Sequence, residues 1–234
     1  NGVGTDANGQ PARPVTERLR KVSDRPTSGA WFSGGMSTST VLNIRFMERA
    51  TGHVFETPVD SYAENRISNT TIPGVQELLS ITVDLFILRS VSGSDDIQNF
   101  FGELNATTSI QSINATPLKP WSRIAVAGNG KSMLVVTETS AGSRIELLQP
   151  DGTGSKTLLV SPIRSWIPLA AKNRFFIETA PASGIPGFAY EIKNDGGLIK
   201  IIGDLPGLLT VPSPSGKYLL YSTASGNQTT LGII

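Results

Sequence analysis

The amino-acid sequence predicts an all-β fold built from five repeats. In each repeat an apolar run of strand length is followed by a Gly-containing turn and then by a second strand-like run. The turn glycines are 41, 49, 42 and 42 positions apart, at residues 52, 93, 142, 184 and 226. Propeller blades of four strands are about 40–45 residues long, and we find no amphipathic stretch of helical length between the repeats. We therefore expect a β-propeller of five four-stranded antiparallel blades.

Each repeat divides into four predicted strands. The first strand contains small and apolar residues, which suit an innermost position where blades crowd together. We expect first strands at 29–32, 75–79, 124–127, 166–170 and 208–211. Second strands are predicted at 43–48, 85–88, 133–136, 175–177 and 218–221, and third strands at 53–55, 97–101, 144–148, 188–192 and 230–234. Fourth strands are predicted at 66–68, 110–113, 157–160 and 198–202.

A proline-containing segment follows each fourth strand, at 69–73, 114–120, 161–162 and 204–206. Because proline cannot donate to a strand ladder, we interpret these segments as connections between blades. The fifth repeat has only three strands, and residues 18–22 resemble a spare fourth strand that would complete the last blade and close the ring. The alternative is that the chain is part of a larger ring. Residues 1–16 form a Gly-rich N-terminal tail or linker, and residues 17–234 form the propeller domain.

Composition excludes several classes of function. The formal net charge is +1, which gives no basis for a nucleic-acid-binding surface. The chain has no cysteine, so disulfides and thiolate metal sites are excluded. No apolar run approaches the roughly 18 residues of a membrane span. We expect no cofactor.

Residues 212–222 carry the sequence Pro-Ser-Pro-Ser-Gly-Lys-Tyr-Leu-Leu-Tyr-Ser. This segment resembles the core of the WD40-like repeats in TolB-type β-propellers, with Ser215 where that family usually has Asp. Weaker copies lie at 128–131 and 171–174. The resemblance implies a bacterial extracytoplasmic propeller that acts as a binding or scaffolding module. Segments 48–56 and 66–73 also resemble uncharacterised surface proteins of very small bacteria.

Residues 125–132 resemble a phosphate-binding loop, because they end in Gly-Lys-Ser. A strand-like run follows instead of the helix that such a loop requires. The segment also falls in register with residues 214–217 of the last repeat. We therefore predict a turn between two strands of a blade.

Few residues offer catalytic or metal-binding chemistry. His53 is the single histidine, so a site of clustered imidazoles is excluded. Asp95 and Asp96 form the one adjacent carboxylate pair that we single out; they could serve glycoside hydrolysis or Ca²⁺ binding, although Asp is frequent in turns for conformational reasons. Trp31, Trp121 and Trp166 lie near the starts of first strands, where packing between blades is favoured over a role as sugar platforms.

These observations predict a non-enzymatic extracytoplasmic binding or scaffolding domain. Its binding face is the one that carries the turns between second and third strands and the connections between blades; we call this face the rim. The predicted binding residues on the rim are Arg49, His53, Asp95, Asp96, Lys119, Arg144 and Arg164. The alternatives are a structural subunit of a cell-surface assembly or filament and a carbohydrate-active enzyme. The expected partner is a protein or a further copy of the chain, with carbohydrate as another alternative.

Overall fold

The structure is a computed structural model that describes residues 21–34, 42–91, 96–105, 110–182, 184–225 and 228–234. These residues form nineteen β-strands and no helix. The strands pair into five antiparallel sheets, and strands adjacent in sequence are adjacent in each sheet. Each sheet is a blade, and the fold class is the predicted one, an all-β propeller of five blades.

The strands follow one another along the chain as the repeat predicts. Blade 1 contains β1 (Thr27–Gly34), β2 (Leu42–Glu48), β3 (Val54–Pro58) and β4 (Asn65–Arg66), and blade 2 contains β5 (Val75–Ser80), β6 (Leu85–Val91), β7 (Ile97–Asn105) and β8 (Ser112–Leu118). Blade 3 contains β9 (Arg123–Val126), β10 (Met133–Thr139), β11 (Gly142–Leu148) and β12 (Lys156–Ser161). Blade 4 contains β13 (Trp166–Ala170), β14 (Phe175–Thr179), β15 (Pro186–Ile192) and β16 (Leu198–Pro206). Blade 5 contains β17 (Leu209–Pro212), β18 (Leu219–Ser225) and β19 (Gln228–Ile233).

Two of the four proline-containing connections were predicted wrongly. Pro117 lies within β8 and Pro206 lies within β16, so these strands run through most of segments 114–120 and 204–206. Both strands are the last in their sheets. A proline there is tolerated because one side of an edge strand has no ladder partner that needs its N–H. Of the predicted closing strand, residues 18–20 lie outside the described residues and Lys21 and Val22 belong to no strand, so closure remains a prediction.

The chain forms two compact units, residues 1–118 with blades 1 and 2, and residues 119–234 with blades 3 to 5. In the first unit a core cluster joins Trp31 and Met47 of blade 1 to Val75 and Phe86 of blade 2. In the second unit Val136 and Ile145 of blade 3 pack with Trp166 and Phe175 of blade 4. Each unit therefore buries the apolar faces of consecutive sheets against each other.

The three tryptophans are buried, which confirms the packing interpretation. Trp31 Nε1 donates a hydrogen bond of 2.9 Å to the Val83 carbonyl, and Trp166 Nε1 donates one of 3.0 Å to Ser161 Oγ. Burying an indole is favourable when its N–H finds such a partner. Each of these two bonds joins one blade to a neighbouring blade, so they fix how consecutive sheets are placed.

Three of the glycines that define the repeat have positive φ values, +72° at Gly52, +142° at Gly142 and +71° at Gly184. A Cβ atom at Gly52 would lie 2.4 Å from the Ile72 carbonyl oxygen, and one at Gly142 would lie 2.0 Å from the Ser161 oxygen. Such approach leaves no room for a side chain. The turns at Gly52 and Gly142 thus lie directly against the connections between blades, as the definition of the rim requires.

Residues 125–132 form the predicted turn, since β9 ends at Val126 and β10 begins at Met133. The Gly128 N–H donates a hydrogen bond of 2.9 Å to the Ala171 carbonyl in the equivalent turn of blade 4. The Lys172 N–H in turn donates to the Pro214 carbonyl of blade 5 at 3.1 Å. The segment joins blades and leads into a strand.

Candidate functional site

In the first unit, the structure places Arg49 and His53 in one turn of the rim between β2 and β3. Arg49 is exposed, and its guanidinium lies 3.4 Å from the Thr27 carbonyl. His53 is half-buried, with Nε2 3.2 Å from Thr71 Oγ1 in the connection to blade 2. The histidine is thus held at the rim by the adjacent connection.

The carboxylate of Glu48 in this region is already engaged. It accepts hydrogen bonds from Thr51 Oγ1 at 2.6 Å and from Arg25 Nη1 at 2.8 Å. These bonds, with that from Thr51 the stronger influence, hold the pKa of Glu48 below its usual range. The Arg25 guanidinium also lies 4.5 Å from the centre of the Phe55 ring, a cation–π contact. The arrangement fixes the turn and leaves Arg49 as its exposed cation.

The predicted residues of blade 2 are only partly described. Asp95 lies outside the described residues, so its pairing with Asp96 remains a prediction. Asp96 is exposed and directly precedes β7, whereas Lys119 is exposed and directly follows β8. Because β7 and β8 are antiparallel, both positions lie at the rim end of this blade. The carboxylate pair that a glycoside hydrolase needs therefore remains a sequence prediction.

In the second unit, Arg144 and Arg164 are both exposed on the rim side of blade 3. Arg144 lies two residues after Gly142 and pairs with Val160 of β12. Arg164 lies in the connection between blades 3 and 4. Hydrogen bonds hold this connection in place, from Ser143 Oγ to the Ile163 carbonyl at 2.7 Å and from the Ile163 N–H to Ser161 Oγ at 3.1 Å. The backbone next to Arg164 is therefore fixed.

An open pocket of about 320 Å³ lies on the rim beside this connection. Residues of segment 162–165, of β14 and β15, and of the turn between those strands line it. They are Ile163, Ser165, Thr179, Ala180, Ala182, Ile185, Pro186 and Phe188. Ile163 and Ile185 are exposed at 45% and 63%, so the pocket presents apolar surface to solvent. Sequence reasoning identified the flanking Arg164 and missed the pocket itself.

The turn between β14 and β15 supplies part of the pocket lining. Between β14 and β15 the turn comprises residues 180–185, whereas the equivalent turn of blade 3 comprises only residues 140–141. The longer turn is anchored by a hydrogen bond of 2.9 Å from the Ala180 N–H to the Ser165 carbonyl. Thr179 Oγ1 also accepts from the Phe188 N–H at 3.0 Å. Gly184 identified this turn in the sequence, but the length of the turn, which Pro181 and Pro186 indicate, was not predicted.

Glu178, a titratable residue, directly precedes the pocket-lining Thr179 in the sequence and is 1% exposed. Its Oε2 accepts a hydrogen bond of 2.6 Å from Thr210 Oγ1 in blade 5. Burial raises the pKa of Glu178 to about 7, against the opposing effect of the Thr210 hydrogen bond. The carboxyl group is thus inside the interface between blades 4 and 5 and not on the surface. No group of three or more metal-ligating side chains occurs in the part of the chain that the structure describes.

At the opposite end of blades 4 and 5, Arg174 lines a smaller pocket of about 130 Å³ and belongs to an ion-pair cluster. Arg174 donates two hydrogen bonds to the carboxylate of Glu191, at 3.0 and 2.7 Å, and a third to the Gly216 carbonyl. Lys193 Nζ donates to the same carboxylate at 2.7 Å. Arg174 first, and Lys193 with it, lower the pKa of Glu191 to about 2. Because the cluster links blades 4 and 5, we assign it to packing.

No protein-family model and no curated protein sequence matches this chain. Solved structures do match its fold. TolB from Acinetobacter baumannii superposes with a TM-score of 0.56 at 12% sequence identity over 82% of this chain. A putative TolB from Agrobacterium tumefaciens superposes with a TM-score of 0.56 at 11% sequence identity, and the match covers 83% of this chain and 72% of that chain. A chain of the nidogen/laminin complex superposes with a TM-score of 0.53 at 13% sequence identity, and the match covers 79% of this chain and 72% of that chain.

The chain has a β-propeller fold. The resemblance of residues 212–222 to TolB-type repeats is thus supported by structures of TolB proteins, at the level of fold. This chain spans about half (49%) of the length of the A. baumannii TolB chain. The described residues include no helix that is long and apolar enough to cross a membrane.

Proposed function

We propose that this chain is a non-enzymatic binding domain that holds a segment of a partner protein on the rim of blade 4. The observation that carries the proposal is the apolar pocket between Ile163 and Ile185, which lies on the face where sequence analysis predicts binding. Exposed apolar pockets with a few placed polar groups are typical binding sites. The pocket offers room for an apolar side chain of a partner.

Charge defines the second feature of the partner. Arg164 lies between two pocket-lining residues, and Arg144 is exposed in the adjacent β11. Arginine is enriched at protein interfaces and pairs bidentately with carboxylates. We therefore expect the bound segment to combine a large apolar residue with a nearby aspartate or glutamate.

The proposed location of this domain is outside the cytoplasm. The resemblance of residues 212–222 to TolB-type repeats supports an extracytoplasmic location. A chain without cysteine suits an oxidising compartment, because no thiol is open to unwanted oxidation.

Selection of a random peptide library displayed on phage tests the proposed binding role. Peptides enriched on the wild-type chain are expected to contain an apolar residue within a few positions of an acidic one. Ile163→Asp introduces a charge into the pocket and is expected to weaken capture at least tenfold. Leu198→Asp is the matched control, since Leu198 is 41% exposed on the outer strand of blade 4, at the end of the blade opposite the rim. Failure to enrich peptides, or equal binding by both variants and wild type, would contradict the proposal.

A further inference from the structure

The turns between first and second strands form a continuous row within the second unit, at the end of blades 3 to 5 opposite the rim. These turns comprise residues 127–132, 171–174 and 213–218. The Asn129 N–H donates a hydrogen bond of 3.0 Å to the Lys172 carbonyl, in addition to the two bonds between these turns that are described above. The three turns are therefore fixed side by side, and we call them the turn row.

The turn row is cationic. It contains Lys131, Lys172, Arg174 and Lys217 and no aspartate or glutamate. Arg174 is paired with Glu191, whereas the three lysines are exposed, and none of their ammonium groups makes an ion pair or a hydrogen bond with another described residue. Like charges at neighbouring positions repel one another and do not stabilise the fold. The three lysines are thus available to a partner outside the chain.

Two carboxylates in the outer turns at this end are bonded locally. Asp151 Oδ1 accepts hydrogen bonds from the Thr153 N–H at 2.9 Å and from Thr153 Oγ1 at 2.7 Å. Asp195 Oδ1 accepts one of 2.9 Å from the Gly197 N–H. Each of these carboxylates therefore fixes its own turn, and neither makes an ion pair with a lysine of the turn row.

An exposed aromatic side chain lies beside these lysines. Tyr218 is 51% exposed, and Lys217 Nζ lies 5.1 Å from the centre of its ring. Both residues line the smaller pocket together with the apolar Phe176 and Leu219. Tyrosine and lysine combine an apolar body with a polar tip, which suits the boundary between lipid headgroups and hydrocarbon.

We infer that the turn row docks on the headgroups of an anionic lipid surface. The phosphates of a bilayer form a plane of negative charge that several side-by-side lysines can meet at once. Lysine is a compact charge on a flexible stem, which suits mobile phosphates, whereas the rigid fork of arginine is better matched to fixed carboxylates of a folded protein. The inference goes beyond peptide capture, because the turn row and the rim lie at opposite ends of the blades.

Cosedimentation of the whole chain with vesicles of phosphatidylglycerol and phosphatidylcholine in equal parts tests the inference. The wild type is expected to bind these vesicles and not vesicles of phosphatidylcholine alone, and added salt is expected to weaken binding by screening. Each lysine near an anionic bilayer strengthens binding about fivefold, so Lys131→Gln/Lys172→Gln/Lys217→Gln is expected to bind about 100-fold more weakly. Because these lysines are exposed and unpaired among the described residues, the variant is expected to keep the urea midpoint of the wild type.

The matched control removes the same charge from exposed positions outside the turn row, in the variant Lys21→Gln/Arg66→Gln/Lys200→Gln. Its vesicle binding is expected to stay within about threefold of the wild type, because exposed charges away from the lipid are screened. A wild type that does not bind the anionic vesicles would overturn the inference. Equal losses in the two triple variants would also overturn it, since net charge and not the turn row would then be responsible.

The absence of cysteine allows a second measurement, which reports the orientation of the bound chain. Ser215→Cys places one thiol in the turn row, and a polarity-sensitive fluorophore attached there is expected to brighten when anionic vesicles are added. Ser140→Cys is the matched control, since Ser140 is an exposed serine in the rim turn between β10 and β11. A label that brightens equally at both positions, or only at position 140, would show that the turn row is not the docking surface.

Discussion

The carboxyl group of Glu178 makes the stability of this protein depend on pH near neutrality. Glu178 lies in the interface between blades 4 and 5 and is 1% exposed. Its one described hydrogen-bond partner is Thr210. Its pKa is about 7 in the folded chain, against an ordinary value of 4.5. Burial causes this rise, because the ionised form loses its hydration.

The sign of the effect follows from the proton balance. Between pH 4.5 and 7 the folded chain keeps the proton on Glu178 while the unfolded chain has lost it. The free energy of unfolding therefore falls as the pH rises through this window and is constant above it. A difference of about 2.5 pKa units at 1.36 kcal/mol per unit gives a loss of about 3 kcal/mol.

Urea denaturation of the wild type and of Glu178→Gln at a series of pH values from 4 to 8 measures this loss. Glutamine keeps an oxygen that accepts the Thr210 hydrogen bond but cannot ionise. The difference in unfolding free energy between variant and wild type is expected to grow by about 3 kcal/mol from pH 4 to pH 8 in favour of the glutamine. Glu103→Gln, at an exposed position of β7, is the control and is expected to show no such trend. If the difference for Glu178→Gln is the same at both ends of the series, the carboxyl is not buried in its protonated form and the reasoning is refuted.

Two further predictions concern the turns and the ion-pair cluster. Gly142→Ala is expected to destabilise the chain by about 3 kcal/mol, because its Cβ would lie 2.0 Å from the Ser161 oxygen. Gly184→Ala, also at positive φ but with open space around it, is expected to cost only about 1 kcal/mol in the same urea titration. Glu191 has a pKa of about 2 beside Arg174, so its contribution to stability is expected to be present above pH 4.5 and lost as the pH falls toward 2. Acid titration of Glu191→Gln checks this, since the variant lacks that part of the acid-induced loss; an unchanged acid transition would contradict it.

The strands were predictable from the sequence because each is a short apolar run bounded by turn residues. All nineteen overlap predicted segments, although β4 shares only Arg66 with its prediction and several strands extend further than predicted. Two of these extensions, in β8 and β16, pass through Pro117 and Pro206, which suggested that the strand had ended. An edge strand tolerates proline, and the sequence alone does not state which strand is at the edge.

The rim pocket was not predictable in the same way. Arg164 was identified because charged residues in connections are exposed, but the pocket depends on how Ala180, Ala182 and Ile185 are placed around the same space as Ile163. Such a conformation is set by contacts between segments that are distant in sequence. Glu178 offered a clearer signal, since it follows three apolar residues in a strand that both neighbouring blades cover.

The hydrogen bonds between turns of consecutive blades determine how the second unit opens. The Gly128 and Lys172 amides lie in turns, yet each donates to the next blade and not to its own. Exchange of either amide proton with solvent requires that its hydrogen bond between blades opens. Amide hydrogen exchange at these two positions therefore reports separation of blades 3, 4 and 5, and we expect rates as slow as those of the strand interiors and not the fast rates usual for turns.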